Sequence, residues 1–372
     1  MEPKQHYLIL DGLRGVAALI VVLYHLFEAV AFSAGKLEQD MFNGFLAVDF
    51  FFILSGFVMG YAYDDRMESM GVKNFIKRRL IRLHPMVVIG VIIGLACFGI
   101  QGFESWDGGK VTISSIMMCT LLSLFLIPSC GSADLRGNTE MFSLNGPHWS
   151  LFFEYIASLF YAFLLYKISS KSLKILAIVS GVALFSIGLF GPANSIAYGW
   201  SYEPLNILGG LIRVSFGYSM GLLLARKFRN EDKKQVKIPL FAVCAIVLCA
   251  VMTVPSLGSV WLNVVYQMSV VVVVFPIIIW YGARGNVMCI RKGLVSLLGR
   301  LSYPLYAVHY PFIYLYINWI NKNQHPFGAQ WWASPLAVAI ISLIAGLLCM
   351  ALYDQPIRKW LRKRFILYYD VK

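Results

Sequence analysis

Apolar residues run along the chain in long blocks, and most polar residues fall between them. The blocks lie near 8–30, 45–63, 86–103, 149–166, 175–190, 205–225, 238–254, 260–281, 303–320 and 333–353. About 20 consecutive apolar residues span a bilayer as a helix, so the pattern predicts ten spans. An eleventh apolar stretch, 111–128, is ambiguous, and the basic residues decide it. If it does not cross, 26 of the 32 Lys and Arg fall on one side, in 1–7, 64–85, 167–174, 226–237, 282–302 and 354–372. Only Lys36, Lys110, Arg136 and Lys322 fall on the other, while Arg14 and Arg213 lie within spans. If it did cross, 19 of those charges would change sides, against the tendency of basic residues to stay in cytoplasmic loops. The expected fold is therefore an all-α integral membrane protein, a bundle of about ten transmembrane helices. Both termini are expected to be cytoplasmic. The segment 104–148 is expected as a re-entrant or surface element, since irregular backbone at membrane depth needs protein or a water-filled cavity around it. One transmembrane domain is expected over 1–372, with no extra soluble domain.

Composition fits this picture. The chain is 59% hydrophobic and 14% charged, against about 25% charged in a soluble protein. The net charge of +13 would suggest nucleic acid in a soluble chain. Here cytoplasmic loops and anionic lipid account for it, so the expected partner is the bilayer and no nucleic acid. The N-terminus lacks a basic n-region and a small-residue cleavage site, which predicts a permanent helix. The seven Cys are scattered without CxxC or Cys/His ligand spacing, so neither a metal nor a disulfide framework is expected.

Candidate chemistry lies in the polar residues inside or beside the spans. In "LDGLRGVAALIVVLYH", Arg14 and His25 are eleven residues apart. That spacing puts them within about 20° of one helix face, with a rise of about 16 Å. Asp11 is placed to pair with Arg14. A charge at bilayer depth costs about 2.5–3.5 kcal/mol even on the gentlest scale, so each needs a reason. "GFLAVDFFFILSGFVMG" carries Asp49 and Ser55. "NFIKRRLIRLHP" carries Arg78, Arg79 and Arg82 before Pro85, which is expected to begin the next span; these arginines suit either lipid headgroups or a phosphate. "PHWSLFFEYIASLFY" carries His148, Trp149 and Glu154, and "LGRLSYPLYAVHYPFIY" carries Ser302, Tyr303 and His309.

Together these five stretches resemble the membrane acyltransferase-3 family of O-acyltransferases. Arg14 and His25 match its Arg-x10-His signature. "AVDFFFILSGF" is similar to its Gly-Val-Asp-Phe-Phe-x-Leu-Ser-Gly-Phe element, with Ala47 in place of Gly. Arg78, Arg79, Arg82 and Pro85 match Arg-Arg-x-x-Arg-x-x-Pro, while "WSLFFE" and "LGRLSYPLYAVH" match two further elements. Asp354-Gln355-Pro356 stands where Glu-x-Pro is usual. The resemblance implies transfer of an acyl group, most often acetyl from acetyl-CoA, to a hydroxyl of an exported glycan or lipid-linked sugar. The bacterial inner membrane is the expected location.

On that basis His25 is expected to be the general base, with Arg14 and Glu154 beside it in catalysis. Arg14, Arg78, Arg79, Arg82, Ser302, Tyr303 and His309 are expected to hold acyl-CoA. Asp49, Ser55, His148, Trp149 and Glu154 are expected to contact the acceptor. Intramembrane His, Asp and Glu also mark proton relays, so the rival expectation is a transporter or flippase for a lipid-linked sugar or anion. The absence of an internal repeat argues against that rival.

Overall fold

Hydrocarbon offers no water to a peptide group, so an apolar block must satisfy its own backbone by coiling, and every predicted block does so. The computed structural model describes residues 7–33, 41–231, 238–285, 287, 290–323 and 332–367. The expected cytoplasmic ends at 1–6 and 368–372, the basic run 232–237 and Lys36 lie outside the described residues. Among the described residues there is no β-strand, and three isolated bridges join loops. The protein is an all-α, multi-pass integral membrane protein.

The helices are α1 Leu8–Ser33, α2 Ala47–Tyr63, α3 Met67–Ile100, α4 Ile113–Leu124, α5 His148–Phe160, α6 Ser170–Phe190 and α7 Pro204–Arg229. They continue as α8 Leu240–Met252, α9 Val260–Ser269, α10 Phe275–Arg284, α11 Lys292–Val308, α12 Tyr310–Lys322, α13 Ala333–Leu348 and α14 Gln355–Arg362. Single wider π turns join α5 to Leu165, α9 to α10 and α13 to α14. Among the described residues, eight helical stretches are long and apolar enough to cross a membrane. The other two predicted spans are the short α8 and the pair α11–α12.

That pair is broken at His309 for a covalent reason. Pro311 has no N–H, so the Ala307 carbonyl four residues back loses its helical donor. Asn145 Nδ2 replaces it at 2.7 Å, tying the loop before α5 to the break. Gly90 on α3 lets this happen, because a Cβ there would stand 2.6 Å from the Ala307 oxygen.

Pro85 does not begin a span. It sits inside α3, which is interrupted instead at Gly71, where φ is 71° and glycine carries no Cβ penalty. The basic residues before Pro85 therefore ride on the helix that crosses, and Arg79 is carried inside the bundle, 6% exposed.

The segment after α3 holds α4 and a single 3-10 turn at Gly131–Ala133; α4 is about 18 Å long, too short to cross a core of about 30 Å. It buries Cys119 and Ser123 and leaves Met117, Leu121 and Phe125 outward.

α2 packs along α7, α1 along α11 and α6 along α7. α2 and α7 approach closely through Gly56 and Gly221, as small residues permit between membrane helices. One end, called basal here, gathers Tyr7 of the chain start with Tyr61, Phe228 and Trp280 at the ends of α2, α7 and α10. Arg226 binds Asp64 there at 2.9 Å. The opposite, apical end carries the 125–147 loop.

Candidate active site

α1 runs from the basal to the apical end and carries Arg14 and His25 at two depths. Each residue lines a different cavity. The basal cavity, about 90 Å³, is lined by Arg14, Ser55, Arg79, Arg82, Glu154, Ser302 and Tyr303. The apical cavity, about 270 Å³, is lined by His25, Glu28 and a set of aromatic rings including Trp106, Trp149, Trp200, Tyr310 and Tyr314. Val48 and Tyr306 line both. The two cavities are therefore stacked and share one thin wall. Tyr306 is fixed in that wall by Ser150 Oγ at 2.6 Å and by donating to the Pro147 carbonyl at 3.2 Å. Phe51 packs edge-on against its ring, 5.8 Å between centroids.

The basal cavity carries excess positive charge. Arg79 donates through Nη2 to the Glu154 carboxylate, which also accepts from the Ser55 hydroxyl. Arg79 Nε donates to Ser158 Oγ at 3.1 Å. That guanidinium is neutralised. Arg14 meets Asp11 only loosely, at 3.8 Å. Arg82 has no ion pair among the described residues; its charged neighbours are the guanidiniums of Arg14, Arg79 and Arg358 and the Asp354 carboxylate, which Arg358 already binds. Arg82 and Arg14 are thus left to meet an anion. Tyr303 donates to the Leu83 carbonyl at 2.5 Å and Ser302 to the Gly299 carbonyl at 2.8 Å, so both hydroxyls serve helix contacts.

In the apical cavity His25 Nδ1 lies 2.6 Å from Glu28 Oε2, and the Tyr310 hydroxyl donates to the same oxygen at 3.2 Å. His25 is partly exposed and lines the cavity. His309 packs beside it, ring centroids 5.4 Å apart. The His309 Nδ1 lies 2.9 Å from the Tyr306 carbonyl and 3.2 Å from that of Leu305, which assigns the proton to Nδ1. Arg213 holds Asp49 through two bonds and stands 5.3 Å from the Trp149 ring centroid, fixing that indole in the cavity wall.

Several expected residues stand elsewhere than the sequence suggested. Glu154 is not beside His25; its bonds to Arg79 and Ser55 keep it in the basal cavity. Asp49 lines neither cavity and is consumed by Arg213. His148 is fully buried at the start of α5, between Phe142 and Gly90, and lines neither cavity. Arg78 lines neither cavity, and His309 belongs with His25 rather than with the arginines. Trp149 lines the apical cavity, and Arg14, Ser55, Arg79, Arg82, Ser302 and Tyr303 are brought together in the basal one. Sequence reasoning missed Glu28 and Tyr306. Glu28 had a signal, since it follows His25 by three residues on one helix face. Tyr306 had none beyond its place in "LSYPLYAVH".

Asp49 and Glu154 are both bound by guanidiniums, which leaves Glu28 as the carboxylate bonded to His25.

A family model described as an acyltransferase domain matches residues 7–354. The acyltransferase MdmB of Streptomyces mycarofaciens is 24% identical, covering 95% of this chain and 92% of its own. Protein 2 in the picA locus of Rhizobium radiobacter is 29% identical over 49% of this chain and 95% of its own. A Staphylococcus aureus protein whose name proposes O-acetyl transfer is 23% identical over 85% of this chain, which spans only 52% of that longer relative. No solved structure matches. Across nearly its whole length, then, the chain belongs to the acyltransferase-3 family of multi-pass membrane O-acyltransferases.

Proposed function

We propose that the protein moves an acyl group, acetyl in the first instance, from cytosolic acyl-CoA to a hydroxyl of a surface or lipid-linked carbohydrate, with His25 as general base. One observation carries the proposal: a cationic basal cavity and an aromatic apical cavity meet at the wall formed by Val48 and Tyr306. The basal end faces the cytosol, since the basic loops predicted to be cytoplasmic lie there. Acyl-CoA enters from that side, its phosphates at the arginine-bearing mouth and its slender arm in the narrow cavity. Arg82 and Arg14 supply the charge. Arg14 keeps its proton in a protein, so it binds rather than acting as a base.

The acceptor occupies the roomier apical cavity, where Trp106, Trp149 and Trp200 offer flat apolar faces of the kind a sugar ring presents to aromatic side chains. His25 takes the hydroxyl proton on its free ring nitrogen as the oxygen attacks the thioester carbonyl. The tetrahedral adduct collapses, the C–S bond breaks, and the proton passes from His25 to the departing thiolate. General base catalysis of this kind contributes about 10²–10⁴-fold.

Mass spectrometry of surface glycans from cells with and without the gene tests the acceptor class. Purified protein in nanodiscs, titrated with CoA, tests the donor. An O-acyl ester that disappears with the gene, together with saturable CoA binding, is expected. Unchanged glycans and no CoA binding would overturn the proposal.

A further inference from the structure

We infer that Glu28 is the positioning residue for His25, forming with it a carboxylate–imidazole dyad at the wall of the apical cavity. The inference rests on His25 being the base, and it adds what selects the reactive nitrogen. An imidazole has two nitrogens, and a base presents a bare lone pair at only one of them. Glu28 Oε2 lies 2.6 Å from Nδ1, so the Nδ1 proton is held there and the other nitrogen is left bare towards the cavity. The carboxylate does not swing freely. Tyr310 donates to the same oxygen at 3.2 Å, and the Tyr310 ring stands edge-on to His25 with 4.6 Å between centroids. Tyr24 and His309 pack against the imidazole at 5.2 and 5.4 Å. The ring is therefore clamped on its sides and tethered at one nitrogen.

The electrostatics favour the same role. When His25 accepts the acceptor's proton it becomes an imidazolium beside a carboxylate, which stabilises the charge at the moment it forms. The Nδ1 proton stays on the bond to Glu28 Oε2. No other acidic side chain bonds to His25 among the described residues. Asp49 and Glu154 are held by Arg213 and Arg79. Glu140, which also lines the cavity, is bound by Tyr314.

The test uses full-length protein in nanodiscs, with acetyl-CoA as donor and de-acylated surface glycan from cells lacking the gene as acceptor. Glu28→Gln keeps the shape and removes the charge. Its kcat is expected to fall by at least about tenfold, and by up to about 10⁴-fold as when the supporting carboxylate of a general-base histidine becomes an amide, with donor KM and CoA binding unchanged. Glu28→Asp, which restores the charge on a shorter arm, is expected to recover part of the loss. A Glu28→Gln enzyme within about threefold of the parent overturns the inference. So does a loss shared equally by Glu28→Asp and accompanied by weaker CoA binding, because that marks a structural role. His25→Gln separates the two ideas. If it stays active, the base assignment fails. If it is inactive while Glu28→Gln is not, only the dyad fails.

Discussion

Arg213 on α7 grips Asp49 on α2 through two parallel bonds, 3.0 Å from Nε and 2.6 Å from Nη2, across 164 residues of sequence. Each side chain is about 2% exposed. The third nitrogen, Nη1, donates to the Tyr198 carbonyl at 2.6 Å. Removing one partner of such a pair leaves a bare charge inside the bundle, at a cost of about 3–5 kcal/mol. Arg213→Ala and Asp49→Asn are thus expected to lower the thermal unfolding temperature of the purified protein and its yield. A folded Asp49→Asn enzyme with raised acceptor KM would instead make Asp49 a binding residue.

The arginines of α3 divide by partner. Arg82→Ala is expected to weaken CoA binding with little effect on folding. Charge-assisted bonds of this type are worth about 1.5–3 kcal/mol each, so roughly tenfold or more in affinity is at stake. Arg79→Ala strands Glu154 and is expected to act on stability first. Calorimetric titration with CoA alongside thermal unfolding separates them; equal loss of CoA affinity without loss of stability in both variants would place Arg79 on the ligand.

His25→Gln is expected to abolish transfer while leaving CoA binding intact. Gln bonds to Glu28 but cannot take a proton. Turnover within about threefold of the parent would be too small a loss for a general base, which typically contributes 10²–10⁴-fold.

Glu140, in the apical loop, supplies a pH-dependent term. Burial pushes its carboxyl up to about 7, against the opposing pull of Arg136 and the Tyr314 hydroxyl. The native protein then binds a proton that the unfolded chain has already lost over roughly pH 4.5–7. Stability from this group is full below the unfolded value and falls as pH rises through that range, by on the order of 3 kcal/mol. Glu140→Gln is expected to flatten the dependence of thermal unfolding on pH between 5 and 7.5. An unchanged slope would show that Glu140 titrates normally.

The sequence disclosed what repeats along one helix and concealed what is made between helices. Arg14 and His25 were legible as a pair because 3.6 residues per turn fixes their common face. The non-crossing segment was legible because crossing it would have moved basic loops to the wrong side. The Glu154–Arg79 pair, 75 residues apart, and the Asp49–Arg213 pair carry no local periodicity. Nothing along the chain announced that these carboxylates are bound by guanidiniums, Asp49 by Arg213 away from both cavities and Glu154 by Arg79 in the wall of the basal one. The break at His309 was not read from the sequence, where 303–320 passed for one span: Pro311 removes a donor, but Asn145 as its replacement, beside Gly90, depends on three distant segments meeting.

The wall at Val48 and Tyr306 also has an electrical consequence. Where water-accessible recesses approach from both ends of a membrane bundle, the transmembrane voltage drops mostly across the thin partition between them. Each elementary charge carried through it costs or gains about 2.3 kcal/mol per 100 mV. In the proposed reaction an acyl group goes one way and a proton the other, an exchange with no net charge, whereas carrying the CoA phosphates across would move several charges. In that reaction, a partition one side chain thick spares the phosphate-bearing donor that electrical work by keeping its charges in the basal cavity.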